Sequence, residues 1–141
     1  MKKEKYIRLT RPLIREVFRE CNEKYFAGEI EEPAIVELWT CHKKCVGWVR
    51  ALWNKKKKGY VAALHISSRY RWTLTNLRNV VVHEMIHLYI QDYLIPLTFW
   101  QRIFTSRQHG KVFIEKMNEL NATYGLDIQA RAKFMKNELI K

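Results

Sequence analysis

A five-residue pattern, His-Glu-Met-Ile-His at positions 83–87, constrains this chain more than any other feature. On an α-helix, His83 and His87 lie one turn apart, so both imidazoles project from the same face. Two neutral imidazoles on one face can hold a single Zn²⁺, and Glu84, about 100° further round the helix, is placed to act on a metal-bound water. The spacing predicts a zinc-dependent peptidase, with Glu84 as catalytic base and His83 and His87 as metal ligands.

The residues around this pattern are almost all apolar. Residues 80–90 are apolar on nearly every side, which is typical of a buried central helix. We expect this helix to begin near Thr75 and to end before Pro96. Three titratable side chains in such a helix are costly unless something satisfies them, and a metal ion does so. The alternative is a pair of histidines that are hydrogen-bonded within a core, which also requires a partner for Glu84.

A catalytic zinc site needs a third protein ligand and one coordination position for water. The metzincin class would place Gly and His where this chain has Ile90 and Tyr93, so that class is excluded. A glutamate on a later helix, Glu115 or Glu119, is one candidate for the third ligand. His109 is the better candidate, because it lies at the start of the next predicted helix and precedes a glycine that allows close backbone approach. The alternative role for His109 is to cap that helix.

The remaining sequence predicts an α+β fold, a zincin-like single domain over residues 1–141. Thr10 fits the N-cap of an N-terminal helix that Gly28 closes. Three segments rich in β-branched and aromatic residues predict a small three-stranded antiparallel sheet, and two later segments predict C-terminal helices. The strands are residues 34–39, 46–53 and 60–67, and the C-terminal helices are residues 111–124, with Gly125 as the stop, and 128–140.

The formal net charge is +12. A chain this basic attracts polyanions, and nucleic acid is the commonest polyanion in a cytoplasm. Trp53 and Trp72 lie among basic residues and could stack on unpaired bases while lysines neutralise phosphates. The alternative is a solvated turn on a generally basic surface. The basic residues proposed for this contact are Lys55, Lys56, Lys57 and Lys58, with Arg69 and Arg71 nearby in sequence.

Cysteine usage and hydropathy indicate the compartment. Three cysteines are too few, and odd in number, for a disulfide scaffold, which favours a reducing environment. No apolar run reaches the ~18–20 residues of a membrane span, and no apolar segment typical of a secretory signal follows the charged start. We therefore expect a cytoplasmic monomer that does not contact the membrane and that can associate with the nucleoid.

Four parts of the sequence resemble the SprT-like metalloprotease family, which includes the DNA–protein crosslink protease Spartan. The likeness runs in the family's order over residues 10–124. It consists of residues 22–30 at the end of the first helix, 46–48 and 64–67 in the hairpin strands, 82–87 in the catalytic helix, and His109, Gly110 and Phe113 in the third-ligand segment.

By this resemblance, the zinc ligands are His83, His87 and His109, and Glu84 is the general base. The resemblance also implies an endopeptidase that cleaves proteins bound or crosslinked to DNA, with single-stranded or damaged DNA as a partner. Many family members continue into a cysteine-rich zinc ribbon. No cysteine follows this segment here, so we expect DNA contact to come from the protease domain. The interval before His109 is long for the family, and we expect its residues 94–104 to form a lid or a substrate wall.

The alternative function is a non-catalytic, basic DNA-binding module in which zinc only holds the fold. The two functions differ in whether a coordination position stays open for water. For the enzyme, we expect the strand at residues 60–67 to bind the substrate backbone by strand addition, which makes sequence preference weak.

Overall fold

The computed structural model describes residues 4–39, 45–91 and 110–140, and these form an α+β arrangement, as the sequence predicts. His109 and the predicted lid at residues 94–104 lie outside the described residues. The α-helices in these ranges are α1 (Arg11–Tyr25), α2 (Leu74–Ile90) and α3 (Lys111–Tyr124), followed by a 3₁₀ helix at Lys133–Glu138. The strands are β1 (Tyr6–Ile7), β2 (Ile35–Glu37), β3 (Gly47–Asn54), β4 (Gly59–Ile66) and β5 (Trp72–Thr73).

Helix α1 begins and ends where the sequence predicts. The hydroxyl of Thr10 accepts a hydrogen bond from the Leu13 N–H at 3.2 Å, which confirms the N-cap. After the helix, Gly28 adopts a φ of +71°, a left-handed conformation that favours glycine. The buried face of α1 consists of Ile14, Val17, Phe18 and Cys21.

The main sheet is mixed, and the predicted antiparallel arrangement of all three strands is wrong. Strands β3 and β4 form an antiparallel hairpin that pairs Gly47 with Ile66 and Asn54 with Gly59. Strand β2 pairs with the opposite edge of β4 and runs parallel to it, with Val36 opposite Leu64. The strand order is therefore β2-β4-β3.

Burial explains this order. Strand β4 contains the buried residues Ala63, Leu64 and Ile66, so it takes the central place where both edges form hydrogen bonds. A short turn joins β3 to β4, which makes these strands antiparallel neighbours. Strand β3 follows β2 in the chain but is not its neighbour in the sheet. Strand β4 lies between them, antiparallel to β3 and parallel to β2.

The segment after α3 differs from the predicted helix over residues 128–140, because only Lys133–Glu138 is helical. Its backbone forms hydrogen bonds with a distant part of the chain. The N–H of Arg71 donates to the Glu138 carbonyl at 2.7 Å, and the N–H of Ile140 donates to the Arg69 carbonyl at 2.8 Å. In a continuous helix over residues 128–140, the Ile140 N–H would bond to a carbonyl of the same helix, whereas here it bonds to residue 69, so helical periodicity in the sequence is misleading for this segment.

A second, two-stranded sheet fixes the start of α2. Strands β1 and β5 are antiparallel, with Tyr6 opposite Thr73 and Ile7 opposite Trp72. The buried indole N–H of Trp72 donates to the Ser67 carbonyl at 2.8 Å. Strand β5 leads directly into α2, so this small sheet, which was not predicted from the sequence, sets where α2 begins.

Helix α2 is the centre of the core, and it spans Leu74–Ile90. It packs against α1, α3, β3 and β5, so that residues on nearly all of its sides are buried. This burial agrees with the apolar character of residues 80–90. Among the described residues, no helix is long and apolar enough to cross a membrane.

The N-cap of α2 gives a direct test of how this helix is fixed. The Thr73 hydroxyl accepts from the Asn76 N–H at 3.1 Å. We expect Thr73→Ala to lower the free energy of unfolding by about 1 kcal/mol, because an N–H of the first turn loses its acceptor. The control Thr75→Ala changes an exposed residue of the same turn and should cost less than about 0.5 kcal/mol. If both variants lost the same free energy of unfolding in urea, the assignment of Thr73 as the N-cap would be contradicted.

Candidate metal centre

Helix α2 carries all three residues of the His-Glu-Met-Ile-His pattern that have titratable side chains. His83 and His87 are one turn apart, and their ring centroids lie 5.3 Å from each other. Glu84 is 5% exposed and His87 is 8% exposed. Burial of a carboxylate beside two imidazoles is costly in an apolar helix, which indicates that these side chains serve a function other than packing.

The His83 ring is oriented by the segment that follows α3, residues 125–140, which we refer to as the tail. Its Nδ1 lies 2.8 Å from the carbonyl oxygen of Gln129, and since a carbonyl can only accept, Nδ1 carries the proton. The lone pair of the neutral ring is then on Nε2, which lies 3.9 Å from Oε1 of Glu84. A histidine held in this tautomer is suited to bind a metal through Nε2. Helical spacing in the sequence does not indicate Gln129, because the contact joins residues 46 positions apart.

Phe113 of α3 packs against both histidines. Its ring centroid lies 5.0 Å from that of His83 and 4.6 Å from that of His87. Phe113 is fully buried, so it fixes the two imidazoles from one side and excludes water there. The sequence places Phe113 on the inward face of its helix, but only the structure identifies the two rings that it contacts.

Gly47, at the start of β3, allows the sheet to approach Glu84 closely. A Cβ atom at this position would lie 3.0 Å from Cγ1 of Val80, 3.3 Å from Oε1 of Glu84 and 3.4 Å from the carbonyl oxygen of His65. The first two atoms belong to α2 and the third to β4. Glycine is therefore favoured here by the tight space beside the carboxylate and not by a left-handed backbone.

The buried His65 belongs to a separate hydrogen-bonded network and not to the metal centre. Its Nδ1 lies 3.1 Å from the carbonyl oxygen of Trp39, and its Nε2 accepts from Nε of Arg50 at 3.1 Å. Burial lowers the pKa of His65; the bond to Trp39 opposes this shift and the Arg50 charge adds to it. His65 is thus a neutral histidine with both ring nitrogens satisfied.

The structure also tests the two glutamates that are candidates for the third metal ligand. Glu115 and Glu119 are exposed on α3, where they form ion pairs with Lys111 and Lys116. Within residues 4–39, 45–91 and 110–140, no group of three or more His, Cys, Asp or Glu side chains is arranged to hold a metal ion. The glutamates are therefore not brought to the histidines. His109 stays a prediction, because it lies outside the described residues.

The donor set nevertheless fits zinc. Imidazole nitrogens are preferred zinc ligands, and His83 is held in a metal-binding tautomer. His83 and His87 would supply two ligands from one face of α2. The adjacent Glu84 is in the position of a general base in zinc peptidases with this spacing.

The basic residues singled out in the sequence form two separate groups. Lys55, Lys56, Lys57 and Lys58 are all exposed at the turn of the β3–β4 hairpin. Arg69 and Arg71 follow the far end of β4, roughly 23 Å away along this eight-residue strand. Arg71 stacks over the ring of Tyr6 at 4.9 Å and forms an ion pair with Glu138. The structure does not bring the arginines to the lysines.

The aromatic side chains beside the lysines also differ from the predicted pair, Trp53 and Trp72. Trp72 is buried, so it cannot stack on a base. Trp53 is 56% exposed, and the 66% exposed Tyr60 packs against it edge to face at 5.3 Å between centroids. The side chain of Asn54 accepts the N–H groups of Lys56 and Lys57, which orders the turn. We refer to Trp53, Lys55–Lys58 and Tyr60 as the hairpin tip.

Comparison with known proteins agrees with this geometry. The model of the SprT-like family matches residues 14–133, which is most of the chain and includes the metal centre, the hairpin and the tail that contacts His83. A search of curated proteins found no match.

The close approach at Gly47 yields a prediction. We expect Gly47→Ala to lower the free energy of unfolding by about 1–3 kcal/mol, because the new methyl group would press on Val80 and Glu84. The control is Gly59→Ala at the other end of the hairpin, where a Cβ would meet only the Lys57 carbonyl at 3.8 Å. That change should stay within about 0.5 kcal/mol in urea unfolding. Equal tolerance at both sites would show that the space beside Glu84 is not tight.

Proposed function

Because the chain belongs to the SprT-like family, we propose that it is a zinc-dependent endopeptidase. Membership indicates a metallopeptidase-type domain. The observation that carries the finer assignment is the trio on α2, in which Glu84 and His87 are buried, His83 is partly buried beside them, and His83 is held with its proton on Nδ1. Such an arrangement is costly for a fold that needs only packing, and it supports metal-assisted hydrolysis.

His83 and His87, with His109 as the third ligand, would hold the zinc ion. Bound zinc supplies a Lewis acid that polarises the scissile carbonyl and makes water more acidic. Glu84 accepts the proton of the attacking water and delivers it to the nitrogen of the leaving amine as the C–N bond breaks. Its buried position beside Gly47 keeps the carboxylate at one place during both proton transfers. Phe113 packs against the two imidazoles and holds them in position.

The mixed sheet changes where a substrate would bind. The strand expected to accept the substrate, β4, is central and is bonded to β3 along its whole length and to β2 at residues 63–65. The outer edge of β3 has no strand partner among the described residues. This edge begins at Gly47, next to Glu84, so a peptide added to β3 would run past the general base. Recognition of backbone groups would make sequence preference weak.

We also propose that its protein substrates are bound or crosslinked to DNA and that the hairpin tip contacts single-stranded DNA. Charge distribution supports this partner. Residues 38–83 contain no Asp or Glu and ten Lys or Arg, so this part of the chain is uniformly positive. The exposed Trp53 and Tyr60 offer faces for unpaired bases beside four ammonium groups. The ten basic residues are Lys43, Lys44, Arg50, Lys55, Lys56, Lys57, Lys58, Arg69, Arg71 and Arg78.

The second candidate function is a non-catalytic DNA-binding module in which zinc only stabilises the fold. The basic hairpin tip favours it equally, so the hairpin does not distinguish the two functions. The buried Glu84 does, because it is in the position of a general base in zinc peptidases with this spacing, and a purely structural zinc site does not need a general base. A monomer that acts in the cytoplasm or on the nucleoid is part of the proposal.

Substitution of the general base tests the enzyme. We expect Glu84→Gln to keep bound zinc and to lower the rate of cleavage of a basic protein substrate by at least about a hundredfold, because proton transfer is lost. The control Glu115→Gln changes an exposed glutamate of α3 and should keep full activity. Zinc content is measured alongside cleavage, with and without single-stranded DNA. Full activity of Glu84→Gln would contradict the peptidase proposal. A zinc-loaded wild type that cleaves no substrate would favour the non-catalytic DNA-binding module.

The DNA contact is tested by charge and by stacking. We expect replacement of Lys55, Lys56, Lys57 and Lys58 by Gln to weaken binding of single-stranded DNA and to reduce the salt slope by about 0.7 for each phosphate that is no longer neutralised. Trp53→Ala should weaken binding to single strands more than to duplex, because only unpaired bases can stack.

A charge-matched control separates a local site from net charge. It replaces four exposed lysines outside the hairpin by Gln, namely Lys5, Lys111, Lys133 and Lys136. Both variants lose four positive charges. Equal weakening by the two variants, measured by fluorescence anisotropy over a salt series, would contradict a specific role for the hairpin tip.

A further inference from the structure

We propose that Asn121 is a positioning residue for the metal centre, acting through the backbone of the C-terminal tail on His83. This inference rests on the proposed function, because it takes His83 to be a zinc ligand. It assigns a role to a residue that lies outside the His-Glu-Met-Ile-His pattern and whose side chain is not seen to contact the histidines.

Asn121 holds one residue of the tail by both of its backbone polar groups. Its Nδ2 donates to the Ile128 carbonyl at 3.0 Å, and its Oδ1 accepts from the Ile128 N–H at 2.8 Å. The backbone of Asn121 is itself fixed at the end of α3, where its carbonyl accepts from the N–H of Gly125 at 3.0 Å. The Ile128 side chain is buried in the core. The position of Ile128 is therefore determined from both its backbone and its side chain.

The next residue along the chain supplies the acceptor for His83. Gln129 follows the clamped residue directly, and its carbonyl oxygen lies 2.8 Å from Nδ1 of His83. Residues 125–132 contain no helix or strand, so no regular hydrogen-bond ladder fixes that carbonyl. The Asn121 clamp at Ile128 takes this role. The chain of contacts runs from Asn121 to the Ile128 backbone, to the Gln129 carbonyl, and then to the imidazole.

The orientation of this carbonyl matters for metal binding. A hydrogen bond at Nδ1 determines which ring nitrogen carries the proton and which offers its lone pair. Hydrogen-bond partners of a metal-binding histidine also fix the plane of its ring, and their loss lowers metal affinity by about 10- to 100-fold in metalloproteins. If the tail backbone shifts after loss of the clamp, His83 loses both the fixed tautomer and the fixed ring plane.

The protein contains a matched control for this clamp. At the end of α1, Nδ2 of Asn22 donates to the Ile30 carbonyl at 2.8 Å, and Oδ1 accepts from the Ile30 N–H at 3.1 Å. The two clamps share the same amide, the same helix position and a buried isoleucine. The residue after Ile30 is the exposed Glu31. Only the clamp at Asn121 leads to the metal centre, so a purely structural role predicts equal effects at both sites.

The experiment compares Asn121→Ala with Asn22→Ala in the full chain. Each variant loses two hydrogen bonds, and we expect both to lower the Tm by a similar amount, roughly 5 °C. Zinc affinity is measured by competition with a chelator of known affinity. We expect Asn121→Ala to bind zinc about 10- to 100-fold more weakly than wild type and Asn22→Ala to stay within about twofold. Equal zinc affinities of the two variants would overturn the inference.

A conservative variant and a second readout cover the case in which Asn121→Ala does not fold. Asn121→Asp keeps the acceptor for the Ile128 N–H and loses the donor, so its zinc affinity should lie between those of wild type and Asn121→Ala. Nitrogen-15 NMR of the metal-free wild type should show the proton of His83 on Nδ1. A proton on Nε2 in the wild type, or an unchanged affinity in Asn121→Asp together with an unchanged tautomer, would overturn the inference.

These outcomes are distinct from failure of the proposed function. A wild type that binds zinc but cleaves no substrate removes the peptidase and leaves the Asn121 role intact. A wild type that binds no zinc removes the positioning role as well, because His83 would then not be a ligand. The tautomer measurement requires neither zinc nor activity.

Discussion

The cost of burying Glu84 and His87, with the partly buried His83 beside them, in an apolar helix is the constraint on which the rest of the structure depends. Helix α2 is surrounded by α1, α3, β3 and β5, so water cannot solvate these side chains from most directions. The surrounding elements supply specific compensations. A glycine in β3 makes room for the carboxylate, an aromatic ring of α3 covers both imidazoles, and a tail carbonyl accepts the proton of His83. The core and the metal centre are therefore built from the same contacts.

The sheets and the tail hold this helix at its start and along its length. Strands β1 and β5 fix where α2 begins, and the tail lies across residues 69–71 before it ends. The main sheet presents Gly47 to the middle of the helix and carries the basic hairpin tip at its far end. As a result, one eight-residue strand, β3, reaches from the space beside Glu84 to the exposed lysines. A substrate bound along this strand and a nucleic acid at the tip would share one structural support.

Local signals in the sequence predict the parts of the fold that local chemistry decides. The Thr10 cap, the α3 bounds and the left-handed Gly125 depend on neighbouring residues, and each agrees with its prediction. The direction of β2 and the irregular tail depend on pairing between distant segments, which periodicity does not encode. The same division applies to the site. Helical spacing predicts that His83 and His87 share a face, whereas Gln129, Phe113 and the role of Gly47 require the folded chain.

The hydrogen bond between His83 and Gln129 also bears on how the centre forms during translation. The ribosome adds residues from the N-terminus, so the imidazole is synthesised 46 residues before its acceptor. A nascent chain that has completed α2 but not the tail lacks the group that orients this ring. Assembly of this site is thus a late event in biosynthesis, and the arrangement proposed to bind zinc is complete only after the tail has been synthesised.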